Sequence, residues 1–230
     1  MKGLSVSEAI ASRTSVRAFK STPVPNEIIA EILSKAARAP SGSNIQPWKV
    51  YVTQGDTLNT ICQQVCAAYD SIYEDPTLAA KYIPQYDYYP KIWETPYVER
   101  RRQNGWGLYG LLGITKGDKA KMHAQHRRNF ECFDAPVCLF FTINKNLEQG
   151  SILDYGMFLE NIMLLAKEHG LDTCAQGAWN NFWQIVTSNV KANDSEMFLC
   201  GMSIGYADPE ANINRYRTPR IELEEFVRWL

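Results

Sequence analysis

The stretch Ala11 to Phe19, A-S-R-T-S-V-R-A-F, sets two guanidinium groups, Arg13 and Arg17, on either side of the hydroxyls of Thr14 and Ser15. Arginine offers a planar fork of donors that matches phosphate oxygens, and a hydroxyl fills the gap between two forks. The spacing suits a phosphate monoester. A second stretch, Arg38 to Trp48, R-A-P-S-G-S-N-I-Q-P-W, has neither a helical nor a strand period and is rich in Pro, Gly, Ser, Asn and Gln. Through Pro40, Ser41, Gly42, Asn44 and Gln46 it offers amide edges and backbone groups to a flat polar ring. A phosphate on one stretch and a heterocycle on the other describe a nucleotide-like cofactor. The tail adds Arg215, Arg217 and Arg220, which could be surface charge or further phosphate ligands. A dianion already implied by two arginines favours the latter.

These residues must be held by a folded core. With 230 residues, 45% of them hydrophobic, the chain is long enough for one substantial core, and no linker-like stretch divides it, so residues 1–230 are expected to form one domain. The formal net charge of −1 excludes nucleic acid or an anionic membrane as a bulk partner. No apolar run is long enough to span a bilayer, and the chain reads as soluble and cytoplasmic. Six cysteines lack the paired spacing of a zinc site, so no metal is expected; Cys138 and Cys200 read as buried small hydrophobes in a reducing compartment.

In order along the chain, Ser5 and Glu8 form a capping box for a helix to Ser12, which delivers Arg13. Asn26 to Ala37 carries Ile28, Ile29, Ile32, Leu33 and Ala36 on a helical stripe, and Pro40 stops it. Trp48 to Thr53 alternates as a strand, and Thr57 to Tyr73 follows as a helix with Asp56 as its cap. Glu74 to Pro96 has no period and is dense in tyrosine; its rings could wall a pocket for an aromatic molecule or simply pack onto the core. Gly105, Gly107 and Gly110 have dinucleotide-fingerprint spacing, but they follow Arg100 to Arg102 rather than a buried strand, so no Rossmann domain is expected. His123 and His126 have no carboxylate at a matching position and read as a solvated basic face. Ala135 to Asn144 and Glu196 to Tyr206 read as strands. Ser151 to His169 is a helix apolar nearly all round, stopped by Gly170, which suggests burial on more than one side. Asn180 to Ala192 reads as one more helix.

The Arg13–Arg17 and Pro40–Trp48 motifs, with Ser151 to Trp179 and the closing N-R-Y-R-T-P-R, resemble four blocks of the FMN-dependent nitroreductase family. The resemblance implies an α+β fold, a central mostly antiparallel sheet flanked by helices, with strands near 48–53, 136–143 and 197–206. It also implies an intertwined homodimer with two flavins at its interface. FMN would be bound by Arg13, Thr14, Ser15 and Arg17, by the Pro40–Gln46 loop from the opposite subunit, by Ala175, Gln176 and Gly177 facing flavin N5 and O4, and by Arg220 with Arg217 as alternate. Arg17 would lie near N1. Trp106 and Tyr109 would line the substrate pocket of the other subunit, within an excursion spanning about 74–130. The implied activity is ping-pong hydride transfer from NADH or NADPH, through the flavin, to nitroaromatic or quinone-like acceptors. A dehalogenase or other specialised reductase of the same family, or a non-catalytic FMN-binding sensor or storage protein, are the alternatives. No protein nucleophile, metal or acid–base dyad stands out, which suits chemistry carried by a flavin.

Overall fold

The apolar run after Pro136 forms strand β2 (Val137–Asn144), seven of whose eight residues are buried. A strand hidden on both faces must be central. β2 pairs with β1 (Lys49–Gln54) on one side and with β4 (Glu196–Gly205) on the other, and β3 (Asp172–Gln176) closes the order β1-β2-β4-β3 with every pairing antiparallel. The computed structural model describes residues 4–230. Helices α1 (Val6–Ser12), α2 (Asn26–Ala36), α3 (Gly55–Glu74), α4 (Tyr97–Leu111), α5 (Lys119–Arg127), α6 (Gln149–Glu168), α7 (Trp183–Asn189) and α8 (Leu223–Phe226) surround this sheet. No described helix is long and apolar enough to cross a membrane.

The alternation of β2 divides the core. Leu139, Phe141 and Ile143 point to a layer built with Ile29 and Ile32 of α2 and with Tyr155, Phe158 and Ile162 of α6. Cys138 and Phe140 point to the other layer, built with Ile61 and Val65 of α3 and with Phe130, Trp179 and Phe198. Each large side chain buried in these layers contributes about 1.5–3 kcal/mol. Local signals set the ends of the elements. Ser5 and Glu8 form the expected reciprocal cap on α1. Pro76 follows the end of α3, and Gly170 at φ +69° turns the chain out of α6 while Leu171 N–H donates to Ala166 O at 2.9 Å.

The structure corrects three expectations. The strand β3 is a fourth strand beyond the three expected; its five residues carry no alternation, and they are extended because β4 pairs with them. Helix α3 begins at Gly55 with Gln54 at its cap, so Asp56 sits in the first turn and caps nothing. The expected helix from Asn180 starts as a 3-10 turn, Gly177–Phe182, and becomes α-helical only over α7. Within the chain, α6 buries one face, Ser151, Asp154, Tyr155, Phe158, Ile162 and Ala166, and leaves Leu153 72% exposed.

Candidate active site

The arginines of the first stretch and those of the tail converge on one cavity of about 370 Å³, lined by Arg13, Thr14, Ser15, Arg17, Tyr216, Arg217 and Arg220 among others. Backbone pairing places them. Val16 N–H donates to Thr173 O at 3.0 Å on the free edge of β3, Phe19 N–H to Phe133 O at 2.9 Å, and Lys20 N–H to Tyr206 O at 2.8 Å. The tail is clamped to this segment by Asn214. Its Oδ1 accepts the Arg17 N–H at 2.8 Å, and its Nδ2 donates to Ala18 O at 2.8 Å and to Asp208 O at 2.9 Å. Arg13 lies 3.7 Å from the Glu160 carboxylate, while among the described residues Arg17, Arg217 and Arg220 pair with no carboxylate. Three such forks with two hydroxyls make the cavity a strong anion site.

Asn214 opens the closing N-R-Y-R-T-P-R block, but its role was not legible there, because it bridges two segments 197 positions apart. Asn214→Ala removes three hydrogen bonds at a half-buried position and is expected to cost about 1–3 kcal/mol. It should also weaken anion binding, because the two halves of the cradle lose their tie. Thermal denaturation and phosphate-ester titration read the two effects separately; unchanged anion affinity would show that the neighbouring backbone bonds hold the register alone.

A second cavity, of about 640 Å³, adjoins the first through Arg17, which lines both. Ala175, Gln176 and Gly177 form one wall, and Tyr82, Tyr86, Tyr88 and Tyr89 face them from the aperiodic excursion. The Gln176 side chain is turned inward, its Nε2 donating to Asn129 O at 2.7 Å and its Oε1 accepting from Ser203 Oγ at 2.6 Å. The wall therefore consists largely of backbone and small groups, and the Tyr88 ring comes within 3.5 Å of the position a Gly177 Cβ would occupy. Tyr86 anchors the excursion by donating to Leu199 O at 2.6 Å; burial pushes its own pKa upward.

The Pro40–Gln46 loop lines neither cavity of its own chain. It is nevertheless tightly built. Ser43, Asn44 and Gln46 all have left-handed φ, at 50°, 57° and 49°, a conformation that L-residues occupy only when the surroundings impose it. Here Asp154 Oδ2 on α6 accepts the Gly42 N–H at 3.0 Å, and Ser41 Oγ accepts the Gln46 N–H at 3.0 Å. Trp106 and Tyr109 also lie outside the second cavity; their rings pack edge to face at 6.0 Å on α4. The three glycines of α4 are helical, and Gly107 has a packing reason: a Cβ there would meet Tyr216 Oη at 2.5 Å.

Helix α5 buries none of its residues, as a solvated face should, but His123 does find a carboxylate. His123 Nε2 lies 2.9 Å from Asp70 Oδ1 on α3, and its ring stacks on Tyr73 at 4.0 Å and on Tyr69 at 4.6 Å. The carboxylate partner comes from another helix, which spacing within α5 could not show. Burial pushes the Asp70 carboxyl up, but hydrogen bonds from Arg127 and His123 outweigh it and hold the pKa below the ordinary value. His126 lines the second cavity, where desolvation, with His123 nearby, pushes its pKa down.

The Nitroreductase family model matches residues 10–206. A 4-nitrobenzoate reductase of Pseudomonas putida is 38% identical over 229 residues, 96% of this chain and 93% of that protein. A chloronitrobenzene nitroreductase of Comamonas testosteroni is 36% identical over 225 residues, 98% of this chain and 96% of that protein. The crystal structure of the FMN and NADPH-dependent nitroreductase NfnB from sphigopyxis sp. strain HMH superposes with a TM-score of 0.93 at 38% identity, covering 99% of both chains. With a family match across most of the chain and relatives alike over nearly their whole length, this chain belongs to the nitroreductase family.

Proposed function

We propose that this protein is an FMN-dependent oxidoreductase that passes reducing equivalents from NADH or NADPH to nitroaromatic or quinone-like acceptors in a ping-pong cycle. The observation that carries this reading is the position of Arg17, shared by a cationic cavity and an aromatic one, so that the phosphate and the ring of one FMN fit a single chain. The donor set suits the group: guanidinium forks and hydroxyls for the phosphate, backbone and flat side chains for the ring. Bound FMN supplies the two-electron transfer between nicotinamide and acceptor.

The chain's own residues do the rest. Arg13, Thr14, Ser15, Arg217 and Arg220 bind the phosphate. Arg17 sets a fixed cation at the ring end, where added electron density is stabilised. Ala175, Gln176 and Gly177 orient the ring from the sheet side. Tyr82, Tyr86, Tyr88 and Tyr89 narrow the open side, exclude water and offer stacking faces to a planar acceptor. Residues 1–230 are read as one FMN-binding domain with about 74–130 as its acceptor excursion.

A homodimer completes the site. Val6 and Leu153 are each 72% exposed and Ile10 56%, an apolar surface on α1 and α6 that a second copy would cover. The Pro40–Gln46 loop and the Trp106 and Tyr109 rings would then serve the partner's ring cavity. Six free cysteines suit the reducing cytoplasm. The test is the absorption spectrum of the purified protein before and after NADH or NADPH is added without oxygen. Flavin bands that bleach, followed by recovery with a nitroaromatic, are expected; a bound flavin that neither donor reduces would overturn the reading.

A further inference from the structure

The ring cavity carries one acidic side chain, Asp87, and its position is set by its neighbours. Tyr86, on one side, is fastened to β4 through Leu199 O and accepts at its own carbonyl from Asn180 Nδ2 at 3.4 Å. Tyr88, on the other, lies against Gly177 and packs on Tyr89 edge to face at 4.7 Å. Asp87 lines the cavity between them and, among the described residues, has no ion-pair or hydrogen-bond partner. Lys81 and Lys91 of the same excursion do not line the cavity. Nor does Arg101, which spends its charge over the Trp93 ring at 4.8 Å and the Tyr89 ring at 6.0 Å.

The remaining polar lining, Asn129, Gln176, Asn180, Asn181, His126 and the tyrosines, brings no fixed charge, and the one lining cation, Arg17, belongs to the cofactor in the reading above. Resting on that reading, we propose that Asp87 is a charge filter for the acceptor. It biases the enzyme toward neutral and cationic nitroaromatics and against carboxylated ones. A carboxylate entering this cavity gives up water, finds no free cation in the lining that this chain supplies and meets a like charge. At a separation of several Å in a partly wet site, repulsion between two carboxylates amounts to about a tenfold loss in affinity. Overall similarity does not decide the matter, because relatives named for an anionic and for a neutral nitroaromatic match this chain almost equally. The charges lining the cavity do.

The experiment measures kcat/KM of the FMN-loaded enzyme for 4-nitrobenzoate, 4-nitrobenzamide and 4-nitrobenzylamine, in the native protein, Asp87→Asn and Asp87→Lys. Substituent electronics act on every variant alike, so the readout is how the ratios change between variants. The benzoate-to-benzamide ratio is expected to rise about tenfold in Asp87→Asn and further in Asp87→Lys, while the benzylamine-to-benzamide ratio falls; both changes should shrink as salt is raised. Ratios that stay within about twofold across the three proteins, with benzamide turned over throughout, would overturn the charge filter and leave the reductase reading intact. A native flavoprotein that NAD(P)H reduces but that turns over none of the three acceptors would overturn the nitroaromatic reading itself, and the filter with it.

Discussion

Arg17→Ala is expected to give a folded protein that loses its flavin on purification. A charge-assisted hydrogen bond contributes about 1.5–3 kcal/mol, and Arg17 stands where it can serve both the phosphate and the ring, so FMN affinity should fall by about 100-fold or more. Folding should survive, because the tertiary tie at this position is the backbone N–H to Asn214 Oδ1, and among the described residues the guanidinium itself donates only to Ser15 O at 3.1 Å. Flavin-to-protein absorbance and quenching of FMN fluorescence on titration measure the loss. Arg17→Lys keeps the charge without the fork and should fall between the two, about tenfold weaker than native. Full flavin retention by the alanine variant would mean that the cradle holds something else.

Gly201→Ala should damage the sheet that carries the flavin-facing wall. A Cβ at this position would lie 2.7 Å from Trp179 Cδ1 and 3.0 Å from its Nε1, closer than packed atoms approach. Neither side can yield cheaply. Gly201 is strand backbone paired with Phe140 and Gln176, and Trp179 is fully buried, with Phe130 and Phe140 edge-on at 5.4 and 5.1 Å. Overpacking of this kind costs about 1–3 kcal/mol and sometimes more, which for a chain of this size lowers the melting temperature by roughly 3–10 °C. Trp179 follows Gly177 by two residues, so the displacement reaches the ring cavity, and the surviving protein should bind flavin more weakly. A melting temperature unchanged from native would show that Trp179 has room to shift.

The Arg13–Arg17 motif was legible because it is local, whereas the Pro40–Gln46 loop lines neither cavity of its own chain. Arg13, Thr14, Ser15 and Arg17 are near neighbours whose donor chemistry is independent of the fold, and the structure gathers all four in one cavity with Arg217 and Arg220. The central strand β2 was equally plain: it is apolar on both faces because it is buried on both, and burial imposes that pattern on the side chains themselves. The caps on α1 and after α6 follow the same logic.

What the sequence left open depends on partners far along the chain. Strand β3 is extended because β4 and the Arg13–Arg17 segment hydrogen-bond its edges, a property of their backbones that its own side chains do not announce. His123 gains Asp70 from a different helix, Asn214 joins the two ends of the chain, and Asp87 becomes the lone carboxylate of the ring cavity only when Tyr86 and Tyr88 are pinned on either side of it. By itself the sequence determined which chemical groups are present and which segments must be buried, since both follow from residue type and spacing. The tertiary structure alone decided which groups meet, because a hydrogen bond or a like-charge contact between distant residues has no period and leaves no mark on the neighbours of either one.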